Sequence, residues 1–308
     1  MLNAPIALLS LAVLGWSDPG GDRLVVCSFR TGELELFAVD PATGDAQNLT
    51  RSPLSVEKYP ACSFAGDCVA FISNRDGTDN LYVMNSDGSG VRQLTREVRG
   101  IDAGMPSWTA DGRWLYFGLY GGGPPRMCRI HPDGSEFQVV GEGIDPAVSP
   151  DGKQVTFARS LGDGQHLFLM NADGSDPRQL TAKGNPWAGV HATWTPDGRK
   201  IIYGDRAGEA IELFACEPDT GTIVQLTRLG GAATSPSVAP DGKRITFRWC
   251  DEVYWRSAEL SKRAYKERRA DKRPVWVMGA DGSDPHILGP LHYQTTIDGS
   301  RAPFLRKR

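Results

Sequence analysis

The chain has 308 residues, 40% of them hydrophobic and 23% charged, with a formal net charge of −3 at pH 7. That composition is ordinary for a folded globular chain, and the near-neutral balance exerts no overall pull toward nucleic acid or an anionic membrane surface. Six cysteines are too few for a disulfide-built scaffold of this length.

The chain opens with Met1 to Gly15, apolar from Pro5 to Leu14. This stretch is too short to cross a bilayer. It reads either as the apolar core of a secretory signal, although no Lys or Arg precedes it, or as the first strand of the fold. Residues 16–308 read as one domain, because a single phrase recurs through them. Its form is Ser-Pro-Asp-Gly-Lys-x-Ile-x-Phe, as in Ser149 to Phe157, Thr195 to Tyr203 and Ala239 to Phe247. The marker glycines Gly21, Gly66, Gly112, Gly152, Gly198 and Gly242 are 45, 46, 40, 46 and 44 residues apart. A period in the forties, built from short strands and turns, predicts an all-β six-bladed β-propeller of four-stranded antiparallel sheets.

Within each repeat the aromatic end of the phrase is followed by a variable loop and then an apolar strand. Copies include Leu36 to Val39, Leu81 to Met84, Leu167 to Met170 and Val275 to Met278. A second turn follows, as in Asn85-Ser86-Asp87-Gly88, and a last short strand ends in Gln-Leu-Thr at 93–95, 179–181 and 225–227. Glycine accepts a positive φ and aspartate bonds its own backbone, which is why Asp-Gly serves at these turns.

The two Asp-Gly turns of a meander share one rim, and the connections that differ from copy to copy share the other. Variation within a repeat array marks a binding surface. The variable rim carries Tyr59, Asp102, Asp145, Trp187, His191 and Arg206, a lining of both charge signs and aromatic rings that suits a polar ligand or a peptide. Asp102 and Asp145 precede successive inner strands and are expected at the channel mouth.

The largest departure falls in the last repeat, an insertion over about 249–274. It contains Trp249, Asp251, Tyr254, Trp255 and Arg256, and its Ser257 to Lys272 portion holds good helix formers without Gly or Pro. The segment predicts a basic helical arm that either shields an edge of the ring or docks a partner; its charge favours an acidic partner. After the final repeat, His292 to Gly299 has the look of an inner strand able to close the ring.

The phrase Pro-Asp-Gly-Lys-x-Ile-x-Phe, followed by Leu-Tyr-Val-Met-Asn-x-Asp-Gly-Ser and Arg-Gln-Leu-Thr, resembles the TolB-type propeller repeat over roughly residues 16–289. The resemblance implies the propeller fold and export to the periplasm or beyond. A full TolB carries a small α/β domain ahead of its propeller, for which the repeat array leaves no room here.

Sought chemistry is largely missing from the sequence. There is no Gly-x-Ser-x-Gly elbow and no phosphate-binding glycine loop. Of the five histidines, His166, His191 and His292 fall near one rim, a thin basis for a metal site. The expectation is therefore a non-catalytic, monomeric module, without cofactor or metal, that recognises a protein or acidic polymer. Nucleic acid is not expected as partner, and no segment is long enough to span a membrane. The rival expectation is a lyase or hydrolase acting on an acidic oligosaccharide or peptide through His191, Asp102 and Asp145.

Overall fold

A computed structural model describes residues 23–28, 31–40, 43–96, 102–182, 184, 191–239, 241–250, 275–287 and 304–305. The opening segment, Trp187, the expected helical arm from Asp251 onward and the 292–299 segment lie outside the described residues.

The described residues are all-β. One four-stranded sheet joins β1 (Arg23–Ser28), β2 (Glu35–Val39) and β3 (Ala46–Asn48) to β24 (Phe304–Leu305), which pairs antiparallel with β1 through Arg23 and Leu24. Three further four-stranded meanders follow. They are β4 (Glu57–Cys62) to β7 (Arg92–Gln93), β8 (Asp102–Trp108) to β11 (Gln138–Glu142), and β12 (Ile144–Val148) to β15 (Arg178–Gln179). The last sheet has eight strands, from β16 (Thr193–Trp194) to β23 (His286–Ile287). Its two halves meet at one parallel pair, Ile211 with Ala232, between β18 (Ala210–Cys216) and β20 (Ala232–Val238).

Neither face of such a sheet is self-sufficient, so the sheets stack. Val25, Leu36 and Ala38 of the first pack on Val69, Phe71 and Met84 of the second. Ala70, Ile72 and Val83 of the second pack on Leu115, Phe117 and Cys128 of the third. Tyr116 and Met127 then meet Val155 and Phe157, Leu167 and Leu169 meet Ile201 and Tyr203, and Ile202 and Leu213 meet Ile245 and Phe247. The cycle closes where Val275 and Val277, on β22 (Val275–Gly279), pack on Leu24 and Val26. The first strands β4, β8, β12, β16 and β20 touch one another in order, which places them innermost.

The repeat residues have separate jobs. The Thr of Leu-Thr turns its hydroxyl back to the third strand: Leu36, Leu81, Leu167 and Leu213 donate their N–H groups to Thr50, Thr95, Thr181 and Thr227 at 2.9–3.1 Å. The two glycine turns of a sheet bond each other, Ser86 N–H to the Asp67 carbonyl, Ala172 N–H to that of Lys153 and Ala280 N–H to that of Lys243, at 2.8–2.9 Å. At the opposite rim the variable connections bond each other, as in Asn74 N–H to the Val56 carbonyl at 3.4 Å. Repeated turns and variable loops are thus sorted to opposite ends.

Cys62 and Cys68 flank one such turn as free thiols. Cys62 pairs in register with Val69 and packs into the seam with the first sheet, whereas Cys68 packs into the seam with the third.

Candidate functional site

Four inner strands, β4, β8, β12 and β20 (Ala232–Val238), each break their register at one point. The shifts fall between Lys58 and Ala61, Gly104 and Ser107, Ile144 and Ala147, and Thr234 and Ser237. Inside each break sits a non-glycine residue with left-handed backbone: Tyr59 (φ 55°), Met105 (50°), Asp145 (54°) and Ser235 (54°), with His191 (62°) at the matching place ahead of β16. All five lie seven residues before a marker glycine. A left-handed non-glycine residue costs about 1–2 kcal/mol, so a fivefold recurrence reflects a built feature of the inner strands. Proline follows in four of the five, as Pro60, Pro106, Pro146 and Pro236; it removes an N–H at the point where the ladder is interrupted.

Consecutive bulge residues meet along the channel wall. Ser235 Oγ lies 3.4 Å from His191 Nδ1, and His191 Nε2 lies 3.7 Å from Asp145 Oδ2. Tyr120, at the end of β9 (Leu115–Tyr120), donates its hydroxyl to Asp145 Oδ1 at 3.0 Å. Asp145, His191 and Ser235 are each less than 8% exposed, while Tyr59, Met105 and Tyr120 are half-buried. The Tyr120 ring reaches Asp145 by folding over Gly118 and Gly104, where a Cβ would press into it. Burial pushes the Tyr120 phenol well above its ordinary value, and Asp145 and then Tyr59 add to the rise. It stays a hydrogen-bond donor across the physiological range. The result is a polar belt running from Tyr120 of the third sheet through Asp145 and His191 to Ser235 of the last.

Nearer the rim, Lys58 pairs with Asp79 and holds its ammonium 5.6 Å over the Tyr59 ring. Asp102, exposed at the start of β8, has its carboxyl raised by burial and by Asp79, against the pull of Lys58. Glu57 is fully buried; its Oε1 accepts from Ser55, Ser73 and Arg75, while its Oε2 is buried without a hydrogen-bond partner. Burial raises its carboxyl against those hydrogen bonds and the Arg75 charge. Leu54, in the loop between β3 and β4, is 98% exposed.

The structure therefore brings Asp145 and His191 together and adds Ser235 and Tyr120. Asp102 stands with Lys58 and Asp79 instead. Arg206 is exposed at the end of β17 (Ile201–Ala207), where its N–H bonds Asp205. Trp249 packs on Trp276 with ring centroids 5.4 Å apart, and both indole nitrogens are buried without a partner. His166 is clasped by Asp163 Oδ1 at 2.8 Å and the Thr181 carbonyl at 3.1 Å, away from His191. Among the described residues no three His, Cys, Asp or Glu side chains are arranged to hold a metal ion. Asp251, Tyr254, Trp255 and Arg256 lie outside the described residues. Sequence reasoning missed the bulge itself. Its signal is the x-Pro pair at a fixed distance ahead of the marker glycine.

Residues 137–265 match the family model described as the TolB beta propeller domain. Over 208 residues the chain is 27% identical to the Tol-Pal system protein TolB of Anaeromyxobacter dehalogenans, covering 60% of this chain and 47% of the relative. It is 34% identical over 123 residues to a TolB homolog of Chlorobium chlorochromatii, covering 39% of this chain and 27% of the relative. The chain thus spans less than half the length of these relatives. Among solved structures, TolB from Acinetobacter baumannii superposes with a TM-score of 0.69 at 18% identity, over 94% of this chain and 67% of that one.

Proposed function

The chain belongs to the TolB-type β-propellers, and from that premise we propose that it is a six-bladed, non-catalytic binding module that recognises a protein partner through its variable rim. The carrying observation is the sorting of the two rims. Asp-Gly turns bond one another at one end, and dissimilar loops gather at the other around the mouth above the belt. A rim that is free to vary while the scaffold repeats is a recognition surface. Leu54 and Arg206 give that rim apolar and cationic contact points. Relatives named as Tol-Pal system proteins support a location outside the cytoplasm and a protein partner rather than a polymer.

The enzyme reading draws on the string Asp145, His191 and Ser235, whose residue types suit acyl transfer. Two features favour binding instead. The contacts of 3.7 and 3.4 Å are longer than working hydrogen bonds. Pro236 follows Ser235, so the next residue has no N–H to stabilise an oxyanion.

Site-specific photo-crosslinking tests the rim assignment. A photoreactive residue at position 54 should capture one protein partner, and the same residue at position 173, on the Asp-Gly rim, should not. Capture from position 173 alone overturns the proposal.

A further inference from the structure

Deepening the recognition reading above, and resting on it, we infer that Glu57 is a proton-operated catch on the rim turn that presents Leu54. The turn closes through the Ser55 N–H, which bonds the Ser52 carbonyl at 3.2 Å. Leu54 stands fully exposed at its tip, whereas Ser55 and Glu57 beneath it are buried. The Ser55 hydroxyl bonds Glu57 Oε1 at 2.5 Å, with the Ser52 carbonyl a more distant acceptor at 3.4 Å. Pro53 has no N–H to give, and Leu54 buries almost no surface. Residues 53–55 are therefore fastened through Ser55. The flanks of the turn are tied separately. The Ser52 N–H bonds Glu35, and the Val56 N–H bonds Asn74 Oδ1 at 2.8 Å. The loop that shares Glu57, residues 74–79, is also tied by itself. Arg75 lies 5.5 and 5.1 Å from the ring centroids of Phe71 and Tyr82, and Asp76 accepts from the Tyr82 hydroxyl. Of the two loops over Glu57, the 53–55 stretch is the one whose hold depends on it.

Glu57 Oε2 is buried without a hydrogen-bond partner. A neutral carboxyl tolerates that position better than a carboxylate, whose charge out of water carries a far larger penalty. Burial accordingly holds the Glu57 carboxyl above its ordinary range, against the hydrogen bonds of Ser55 and Ser73 and the charge of Arg75. Lifting residues 53–55 admits water to the carboxylate and restores an ordinary acid. The closed turn thus binds a proton that the open turn releases. Closure is fully supported below the ordinary glutamate value of about 4.3 and loses support as pH rises through the raised value. The charged and titratable groups facing Glu57 are Arg75 and the Tyr82 phenol, which burial and then Asp76 keep protonated. From the first sheet, Glu35 reaches the turn at Ser52. A fixed Leu54 loses less freedom on binding than a loose one, so the rim contact is stronger on the acid side.

Amide exchange in the full chain, corrected for intrinsic rates, tests the catch between about pH 4.5 and about pH 8, upward from the ordinary glutamate value. Protection of the Ser55 N–H should fall several-fold from the lower pH to the higher. The Leu94 N–H, bonded to the Leu81 carbonyl in the same sheet, should hold its protection throughout. In Glu57→Gln, with its fold checked by circular dichroism, protection at Ser55 should be the same at both. Ser55→Ala removes the hydroxyl and keeps the carboxyl, so the amide at position 55 should be weakly protected at both. Wild-type protection at Ser55 that is level or rises with pH overturns the inference. So does a parallel fall at Leu94, or strong protection retained in Ser55→Ala. An equal fall in Glu57→Gln overturns it as well and moves the effect to Glu35. None of these measurements needs a partner, so their failure leaves cross-linking from position 54 untouched. A pH-dependent turn without any capture there would instead sink the rim reading and keep the catch.

Discussion

The indole N–H of Trp108 crosses from the third sheet to donate to the carbonyl of Ala61 in the second, at 2.8 Å. Trp194 makes the same bond to Ala147 at 2.9 Å, two sheets further round. Both pairs are 47 residues apart, one repeat plus one residue. These bonds tie neighbouring inner strands directly beneath the bulges, where the ladder within each sheet is interrupted. Trp108→Phe keeps most of the ring and removes the donor, so it should destabilise by about 1 kcal/mol, the usual net value of a buried hydrogen bond. Trp194→Phe should cost about as much. The two sites lie in different seams, so their effects should add. Urea unfolding with an unchanged slope measures this; a strongly non-additive double variant would show that the ties act as one unit.

Gly174 sits in an Asp-Gly turn with φ 93°, and a Cβ there would collide with the carbonyl oxygen of Val140 on the preceding sheet. Gly88 and Gly282 meet Leu49 and Leu226 in the same way. Gly152, in the other kind of Asp-Gly turn, has φ 73° but open space around it. Gly152→Ala should therefore cost only the backbone strain, about 1–2 kcal/mol. Gly174→Ala adds a clash in the seam and should cost clearly more, about 3 kcal/mol. Equal melting temperatures for the two variants would remove the seam contact from the explanation.

Much of this architecture was legible from spacing alone. The marker glycines locate the turns, and the Gln-Leu-Thr endings locate the hydroxyls that lock the third strands. Asp145 and His191 each stood out as channel-mouth candidates, but their meeting did not. They are 46 residues apart on different sheets, and only the stacking angle between sheets brings them together. Tyr120 reaches Asp145 because Gly104 and Gly118 leave it room, a dependence that no local pattern announces. Trp249 read as a rim aromatic, yet its place on the second strand turns the ring into the seam against Trp276. Periodicity reports which residues share a face; it does not report which faces touch.

His166 joins the 161–164 hairpin to the segment at Gly184, whose N–H donates to Asp163 Oδ2 at 3.0 Å. Burial of the His166 ring works against its charged form, but the Asp163 hydrogen bond and charge and the Thr181 carbonyl outweigh it, so its pKa is raised. The bond to His166 lowers that of Asp163. The signs give a window. The histidine's contribution is fully present below its unfolded value of about 6.5 and fades as pH rises through the raised value; the aspartate's is present above about 3.9 and fades as pH falls. The clasp should thus be tightest between about pH 4 and pH 6.5. Amide exchange at Gly184, corrected for intrinsic rates, should slow most in that interval. His166→Asn should abolish the extra protection, and a flat profile in the wild type would dismiss the clasp.

Glu57 occupies a place in the inner strand held by Ala103, Gly143 and Ala233 in other sheets. Its full burial and partnerless Oε2 identify a carboxylate in the wrong solvent, with Arg75 at 3.3 Å as partial compensation. A carboxyl whose folded pKa is raised supports stability below its unfolded value, about 4.3, and loses that support as pH climbs through the folded value. Glu57→Gln removes the ionisation while keeping the acceptor for Ser55, Ser73 and Arg75. The variant should match the wild type near pH 4.5 and melt at a higher temperature near pH 8, because the wild type alone must bury an ionised group there. Thermal melts across that range decide the matter. A Glu57→Gln protein that is less stable at high pH would mean that the Arg75 pairing outweighs the burial penalty, and that Glu57 is held in its charged form as a tie within the second sheet.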